Sequence, residues 1–193
     1  MKSAKMGIIF FGLGLTQSDG RHMNIDAAVG LVAELNHHTK FLLTPMRGHY
    51  NVAGANTVTA WQTGYPYAVD FSRGYPRYNP GEYTSVDLLA RGEADAAIII
   101  ASDPAATFPA EAAKHFARIP VVALDQKVTP TTMLSKIVIP VATAGVEAEG
   151  TAYRMDGVPL RLKKVVEPHD GVLSDADVLE MTIERVRALK EEA

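Results

Sequence analysis

Five short apolar runs alternate with stretches whose apolar residues recur every three or four positions, and this pattern constrains the chain more than any other feature. Gly7-Ile8-Ile9-Phe10-Phe11 reads as a buried strand entering a glycine turn, and Lys40–Leu43 reads as a second strand. Asp95–Ala101 contains Ala96-Ala97-Ile98-Ile99-Ile100, the unbroken run expected of a central parallel strand. Ile119–Leu124 and Ile137–Val141 complete the set. Between the runs lie helical patterns. From Asn24 to His38, Ile25, Ala28, Val29, Val32 and Leu35 share a face. Thr84–Ala90 carries a cap at Thr84 with Asp87 three residues on. Pro109 suits the first turn of a helix ending at Phe116. A last helix starts at Ser174, with Asp177 in a capping-box position, and runs to about Lys190. Strand–helix–strand repetition predicts an α/β fold with a doubly wound, mostly parallel, Rossmann-like sheet. The chain has 193 residues, which suits a single domain spanning 1–193.

The rhythm breaks between residues 45 and 81. This stretch is rich in glycine, proline and aromatic residues, including Trp61, Tyr65, Tyr67, Phe71, Tyr75 and Tyr78. So long a segment without periodicity is usually functional, disordered or a linker, and its aromatic content is too high for a disordered linker. It is expected to be an irregular but ordered loop after the second strand, packed against a cofactor or partner.

Composition removes several classes of function. The chain has no cysteine, so it supplies no disulfide, thiolate-bound zinc, iron–sulfur ligand or cysteine nucleophile. A net charge of −3 argues against an electrostatic grip on nucleic acid. No apolar run approaches the ~18 residues of a membrane span, and the N-terminus lacks the apolar core of a signal peptide. His37 and His38 lie near a helix end, His22, His115 and His169 are isolated, and no pair has zinc-site spacing, so no metal ligand is expected in the chain. There is no G-x-S-x-G elbow or complete Walker motif.

In open α/β sheets, ligands bind beyond the carboxyl ends of the strands, and four loops leave those ends. Gly12-Leu13-Gly14-Leu15-Thr16-Gln17 could bring backbone amides to a phosphate, or form a structural turn; the third glycine of a dinucleotide fingerprint is missing. Pro45-Met46-Arg47-Gly48-His49-Tyr50-Asn51-Val52-Ala53-Gly54 joins a guanidinium fork to two further hydrogen-bonding side chains. Ser102-Asp103-Pro104 could bond a base or ribose, or cap the next turn. Asp125, followed by Gln126, Lys127, Val128 and Thr129, places a carboxylate where it suits the paired donors of a guanine edge or a lysine partner. Glu147 and Glu149, before Gly150-Thr151, read as a solvated turn.

Taken in order, these segments resemble the C-terminal half of the molybdopterin oxidoreductases, and within them the B subunit of formylmethanofuran dehydrogenase. The resemblance covers essentially the whole chain. It is carried by the Gly12–Gln17 and Pro45–Ala55 segments, by Ser102-Asp103-Pro104, by Asp125 with Thr129, Pro130 and Thr131, and by Ile137–Ala142 leading into Glu147–Thr151. It implies a molybdopterin guanine dinucleotide-binding domain that holds part of a bis(molybdopterin guanine dinucleotide) cofactor carrying tungsten or molybdenum. By similarity, Gly12, Gly14, Thr16, Gln17, Gly48, His49, Asn51, Val52 and Gly54 would approach the pterin and phosphates. Ser102, Asp103, Pro104, Asp125 and Thr129 would surround the guanosine. Arg47 matches the arginine that orients formate beside the metal, a catalytic role.

The reaction so implied is reversible reduction of CO2 to formate, within methanogenesis and one-carbon metabolism. Formate is then condensed with methanofuran on an amidohydrolase subunit. The expected partners are that subunit, iron–sulfur electron carriers and a chain bearing the metal-ligating Cys-His half, in a cytoplasmic complex. Family members carry a cysteine or selenocysteine next to a histidine and an N-terminal four-cysteine cluster site. This chain has neither, so those parts are expected on another chain or removed. Ala152-Tyr153-Arg154 also departs from the Thr-Asn that many relatives carry after the Glu-Gly-Thr segment. Two other readings remain: a non-redox scaffold like the B subunit of bacterial formyltransferase/hydrolase complexes, and a free guanine-nucleotide-binding domain.

Overall fold

The computed structural model describes residues 1–192. In chain order the elements are β1 (Met6–Phe11), α1 (Gly14–Gln17), α2 (His22–Asn36), β2 (Lys40–Pro45), α3 (Val52–Thr63), β3 (Val69–Asp70), β4 (Arg77–Tyr78), α4 (Ser85–Ala90), β5 (Ala97–Ile100), α5 (Pro104–Thr107), α6 (Ala110–Phe116), β6 (Val121–Asp125), α7 (Pro130–Leu134), β7 (Ile137–Pro140), β8 (Gly150–Tyr153), β9 (Pro159–Leu162) and α8 (Asp175–Glu191).

The chain divides into two compact units. The first comprises Met1–Val58 and Thr151–Leu160, the second Thr59–Gly150 and Arg161 onward. The expected single doubly wound sheet is replaced by small separate sheets. The α/β character and the parallel pairing stand. Among the described residues the parallel strand pairings are β1 with β2 in one small sheet and β6 with β5 and β7 in another.

In the first unit β1 and β2 run parallel, with Gly7 opposite Phe41 and Phe11 opposite Pro45. Phe41 is buried, and its ring lies over Gly7, where an added Cβ would stand 2.1 Å from the ring. Asn36 at the end of α2 accepts from the Phe41 N–H at 3.1 Å and donates to its carbonyl at 3.0 Å, which fixes the entry of β2.

The second unit is built on the parallel sheet β5-β6-β7. β6 is central in its sheet, with Val121, Ala123, Leu124 and Asp125 all buried. This corrects the expectation for 95–101: β5 is an edge strand, and Ile98 on it is 57% exposed. A short apolar run signals a strand without saying where in the sheet it lies. The core packs Leu89 of α4, Ala112 and Phe116 of α6 and Val121 of β6, with Val86, Ala97 and Ile99 beside them. Complete burial of a side chain such as Phe116 contributes about 1.5–3 kcal/mol.

Helix ends follow their local chemistry. The Thr84 hydroxyl accepts from the Asp87 N–H and caps α4. Ser174 and Asp177 form a reciprocal capping box at α8. The segment 45–81 is not irregular throughout: it holds α3 and the antiparallel β3–β4 pair. Around that pair Tyr65 stacks on Tyr78 at 5.1 Å and Tyr67 meets Tyr78 edge-on at 5.7 Å. Arg77 pairs with Asp70 and lies over the Tyr83 ring at 4.7 Å. The aromatics therefore organise a small hairpin of their own, while Trp61, Tyr67, Phe71 and Tyr75 keep more than half of their surface exposed.

Candidate functional site

The parallel register puts the carboxyl ends of β1 and β2 side by side, so Gly12–Gln17 and Met46–Asn51 leave the same end of one sheet. The first loop turns directly into α1. The Thr16 hydroxyl donates to the Leu13 carbonyl at 2.9 Å, so Thr16 closes the turn, and Gln17 is exposed at its end. Around Gly12 and Gly14 there is open space where a Cβ would stand, as there is around Gly48. Asn24, which sequence reasoning did not single out, holds this turn by donating to the Leu15 carbonyl at 2.8 Å and to the Ser18 hydroxyl at 2.7 Å.

The second loop starts where the Met46 N–H donates to the Phe11 carbonyl at 2.7 Å. Arg47, Gly48, His49 and Tyr50 are all exposed. His49 and Asn51 both take left-handed backbone, with φ of 64° and 56°, which costs a non-glycine residue of order 1 kcal/mol or more. Val52 opens α3, and Gly54 is buried within it.

In the second unit Ile100 and Leu124 are register partners, so Ser102-Asp103-Pro104 and Asp125–Thr129 also leave one end of one sheet. Ala101, where the first of these loops begins, has a φ of 45°, again left-handed. Asp103 accepts from both the backbone N–H and the hydroxyl of Thr131, and that hydroxyl accepts from the Ala105 N–H at 3.0 Å. Pro104 is buried at the start of α5 and Ser102 is exposed. The Thr129 hydroxyl caps α7 by accepting from the Thr132 N–H at 3.2 Å, and Thr132 returns the bond at 2.8 Å. This cap is written in the Thr129-Pro130-Thr131-Thr132 sequence and could have revealed α7.

Asp125 is 7% exposed, and its carboxylate accepts from the Lys127 N–H at 3.1 Å in a tight local turn. It borders a groove of about 310 Å³ with Lys127, Thr132 and Val138. A buried carboxylate needs donors, and a planar polar ligand with two adjacent N–H groups would supply them in this groove.

The remaining candidates take structural roles. Glu147 accepts from the Thr143 N–H at 2.9 Å and closes its turn, and Glu149 pairs with Arg161 at 3.0 Å. A ring nitrogen of His115 bonds the Ala94 carbonyl at 2.8 Å. Among the described residues no group of three His, Asp or Glu side chains is placed to hold a metal, and no helix is long and apolar enough to cross a membrane.

Comparison with known proteins defines the class: the chain is similar to the B subunits of formylmethanofuran dehydrogenases and of a formyltransferase/hydrolase complex. Over 97% of its length it is 58% identical to the B subunit of the tungsten-containing formylmethanofuran dehydrogenase 2 of Methanocaldococcus jannaschii, and over 98% it is 54% identical to that of Methanococcus maripaludis. It spans 43% and 44% of those two proteins, less than half of each. A 76-residue stretch is 36% identical to the Fhc B subunit of the formyltransferase/hydrolase complex of Methylorubrum extorquens. The crystal structure of that FhcABCD complex, bound to methylofuran, contains a chain that matches 98% of this one with a TM-score of 0.76 at 22% identity, a likeness of fold; the match spans 51% of that chain. No protein-family model matches.

Proposed function

We propose that this chain is the C-terminal, cofactor-holding part of a formylmethanofuran dehydrogenase redox subunit, acting in the reversible reduction of CO2 to formate. The observation that carries this reading is the 58% identity maintained across 97% of the chain, a span that includes every strand-end loop described above. The residues present fit a bis(molybdopterin guanine dinucleotide) group. In the first unit the open space at Gly12, Gly14 and Gly48 suits close approach of a flat pterin or a phosphate; in the second, taken by itself, the groove beside Asp125 suits a guanine. When bound, that cofactor with its tungsten or molybdenum supplies the two-electron chemistry.

The chain's own contributions are binding and orientation. Arg47 offers a planar fork that holds formate in two parallel hydrogen bonds and fixes the direction of its C–H bond. Asp125 would hold the guanine by accepting from its N–H groups, and Ser102, on the neighbouring loop at the same end of the sheet, would contact the nucleoside. With no cysteine, the metal's protein ligand comes from elsewhere in the assembly. The partners are the Cys-His-bearing part of the subunit, an amidohydrolase that condenses formate with methanofuran, and iron–sulfur carriers.

The test is to purify the native complex with Arg47→Ala. Formate turnover per bound tungsten or molybdenum is expected to fall by about two orders of magnitude, the size of effect of losing a substrate-orienting group. Turnover at the unaltered rate with full metal content would overturn the catalytic assignment. The fold match to the formyltransferase/hydrolase complex favours a second reading, a B subunit that only supports its neighbours. A native assembly containing neither tungsten nor molybdenum would establish that reading instead.

A further inference from the structure

Asn51 uses its side chain in an unusual way. It sits just before α3, and its carbonyl accepts the helix's first bond, from the Ala55 N–H at 3.0 Å. Asparagine at such a position ordinarily turns its side chain onto the next amides of the helix. Here the side chain points to β8. Its Nδ2 donates to the Thr151 carbonyl at 2.9 Å, and its Oδ1 accepts from the Tyr153 N–H at 2.8 Å. The side-chain amide thus straddles Ala152 and bonds the backbone on both sides of it, as a peptide unit of an adjoining strand would.

Gly54 explains how this is possible. It lies inside a helix, where glycine is unfavourable by about 1 kcal/mol relative to alanine. A Cβ there would stand 2.4 Å from the Asn51 Oδ1 and 2.8 Å from its Cγ and Nδ2. Alanine cannot share the helix turn with the amide in this position. The left-handed backbone of Asn51, at φ 56°, is the third part of the device, since it swings the side chain out of its usual capping direction.

From this geometry we infer that Asn51 and Gly54 form a clamp that positions the Arg47 loop, so that Asn51 is a positioning residue rather than a cofactor contact. The four exposed residues Arg47–Tyr50 run between two anchored ends. One is the Met46 N–H on the Phe11 carbonyl, and the other is Asn51 on β8. Release of the second anchor loosens the loop that presents the guanidinium. The catalytic consequence rests on the function proposed above; the clamp itself does not.

The test is a double-mutant cycle in the purified native complex, using Asn51→Ala, Gly54→Ala and the pair. Amide hydrogen exchange over Arg47–Tyr50 is expected to quicken about tenfold in each single variant, as two hydrogen bonds are lost. The double variant is expected to match Asn51→Ala alone, because the Gly54 Cβ has nothing to displace once the amide is gone. Formate kcat/KM per bound tungsten should fall with the same non-additive pattern, while metal content and melting temperature hold. Independent, additive effects of the two substitutions, or unchanged exchange in Asn51→Ala, would overturn the clamp. A complex that shows the exchange pattern but has no formate activity even in wild type would retain the clamp and defeat the redox reading.

Discussion

Asp103 and Thr131 are joined by two hydrogen bonds to a single carboxylate oxygen, from the Thr131 N–H at 3.0 Å and its hydroxyl at 2.6 Å. Thr131 is completely buried, so neither donor has water to fall back on. The pair ties the loop after β5 to the helix after β6, and it does so with a residue that the resemblance assigns to nucleoside contact. Asp103→Ala is expected to destabilise the second unit by about 2–3 kcal/mol, the cost of leaving buried donors unpaired. Thr131→Val should cost a similar amount, because it also orphans the Ala105 N–H. Chemical denaturation of the two single variants and the double variant would show strong coupling between them.

Gly7 lies beneath the Phe41 ring. Gly7→Ala must push a buried aromatic side chain out of its place on the β1–β2 sheet, and a loss of about 1–3 kcal/mol is expected, as for other overpacked cores. Gly12→Ala, with open space around its Cα, serves as the comparison and should change the melting temperature little.

The carboxyl of Asp70 is held below its ordinary value of 3.8. The main cause is the Ser72 backbone N–H, followed among the lowering effects by the Ser72 hydroxyl and the Arg77 guanidinium, while partial burial opposes them. A depressed folded-state value means that the contact supports the β3–β4 pair above the unfolded value and is lost as pH falls through the folded one. The protection of the Val69 and Tyr78 amides, taken relative to the intrinsic exchange rate at each pH, is expected to be flat from neutrality down to about pH 4, to fall below that, and to lose this dependence in Asp70→Asn.

At the start of α8, Ser174 and Asp177 satisfy each other's backbone N–H groups. Ser174→Ala is expected to cost about 1 kcal/mol. Thermal unfolding followed by circular dichroism should record it as a lower midpoint with helix content unchanged.

Where local chemistry decides structure, the sequence was readable. The caps Thr84 and Ser174 need only residues three positions apart, and the parallel strands 7–11, 119–124 and 137–141 need only an apolar run. α3 escaped because Gly54, Thr57, Thr59 and Thr63 are weak helix formers that blur its apolar stripe. Two of those threonines bond back into the helix instead, Thr57 to the Ala53 carbonyl and Thr63 to the Thr59 carbonyl. The edge position of β5 escaped because strand order is set by pairing between distant segments. The four strand-end loops were legible as positions, and the structure brings Gly12–Gln17 together with Met46–Asn51, and Ser102–Pro104 together with Asp125–Thr129. The individual bonds were not legible. Asp103 finds its partner 28 residues away and Asn51 finds its two partners 100 and 102 residues away, beyond any local pattern.

That last separation gives the molecule a schedule. The first unit is assembled from two pieces of chain, Met1–Val58 and Thr151–Leu160, with the intervening residues belonging to the second. At the roughly 5–20 residues per second of synthesis, the strand that anchors Asn51 leaves the ribosome about 5–20 seconds after Asn51 itself. Until then β1 and β2 can pair, but the arginine loop lacks its second anchor. A nascent chain stopped short of Thr151 would therefore carry an unset loop however well the rest had folded, so the setting of the arginine loop waits on the short β8 segment.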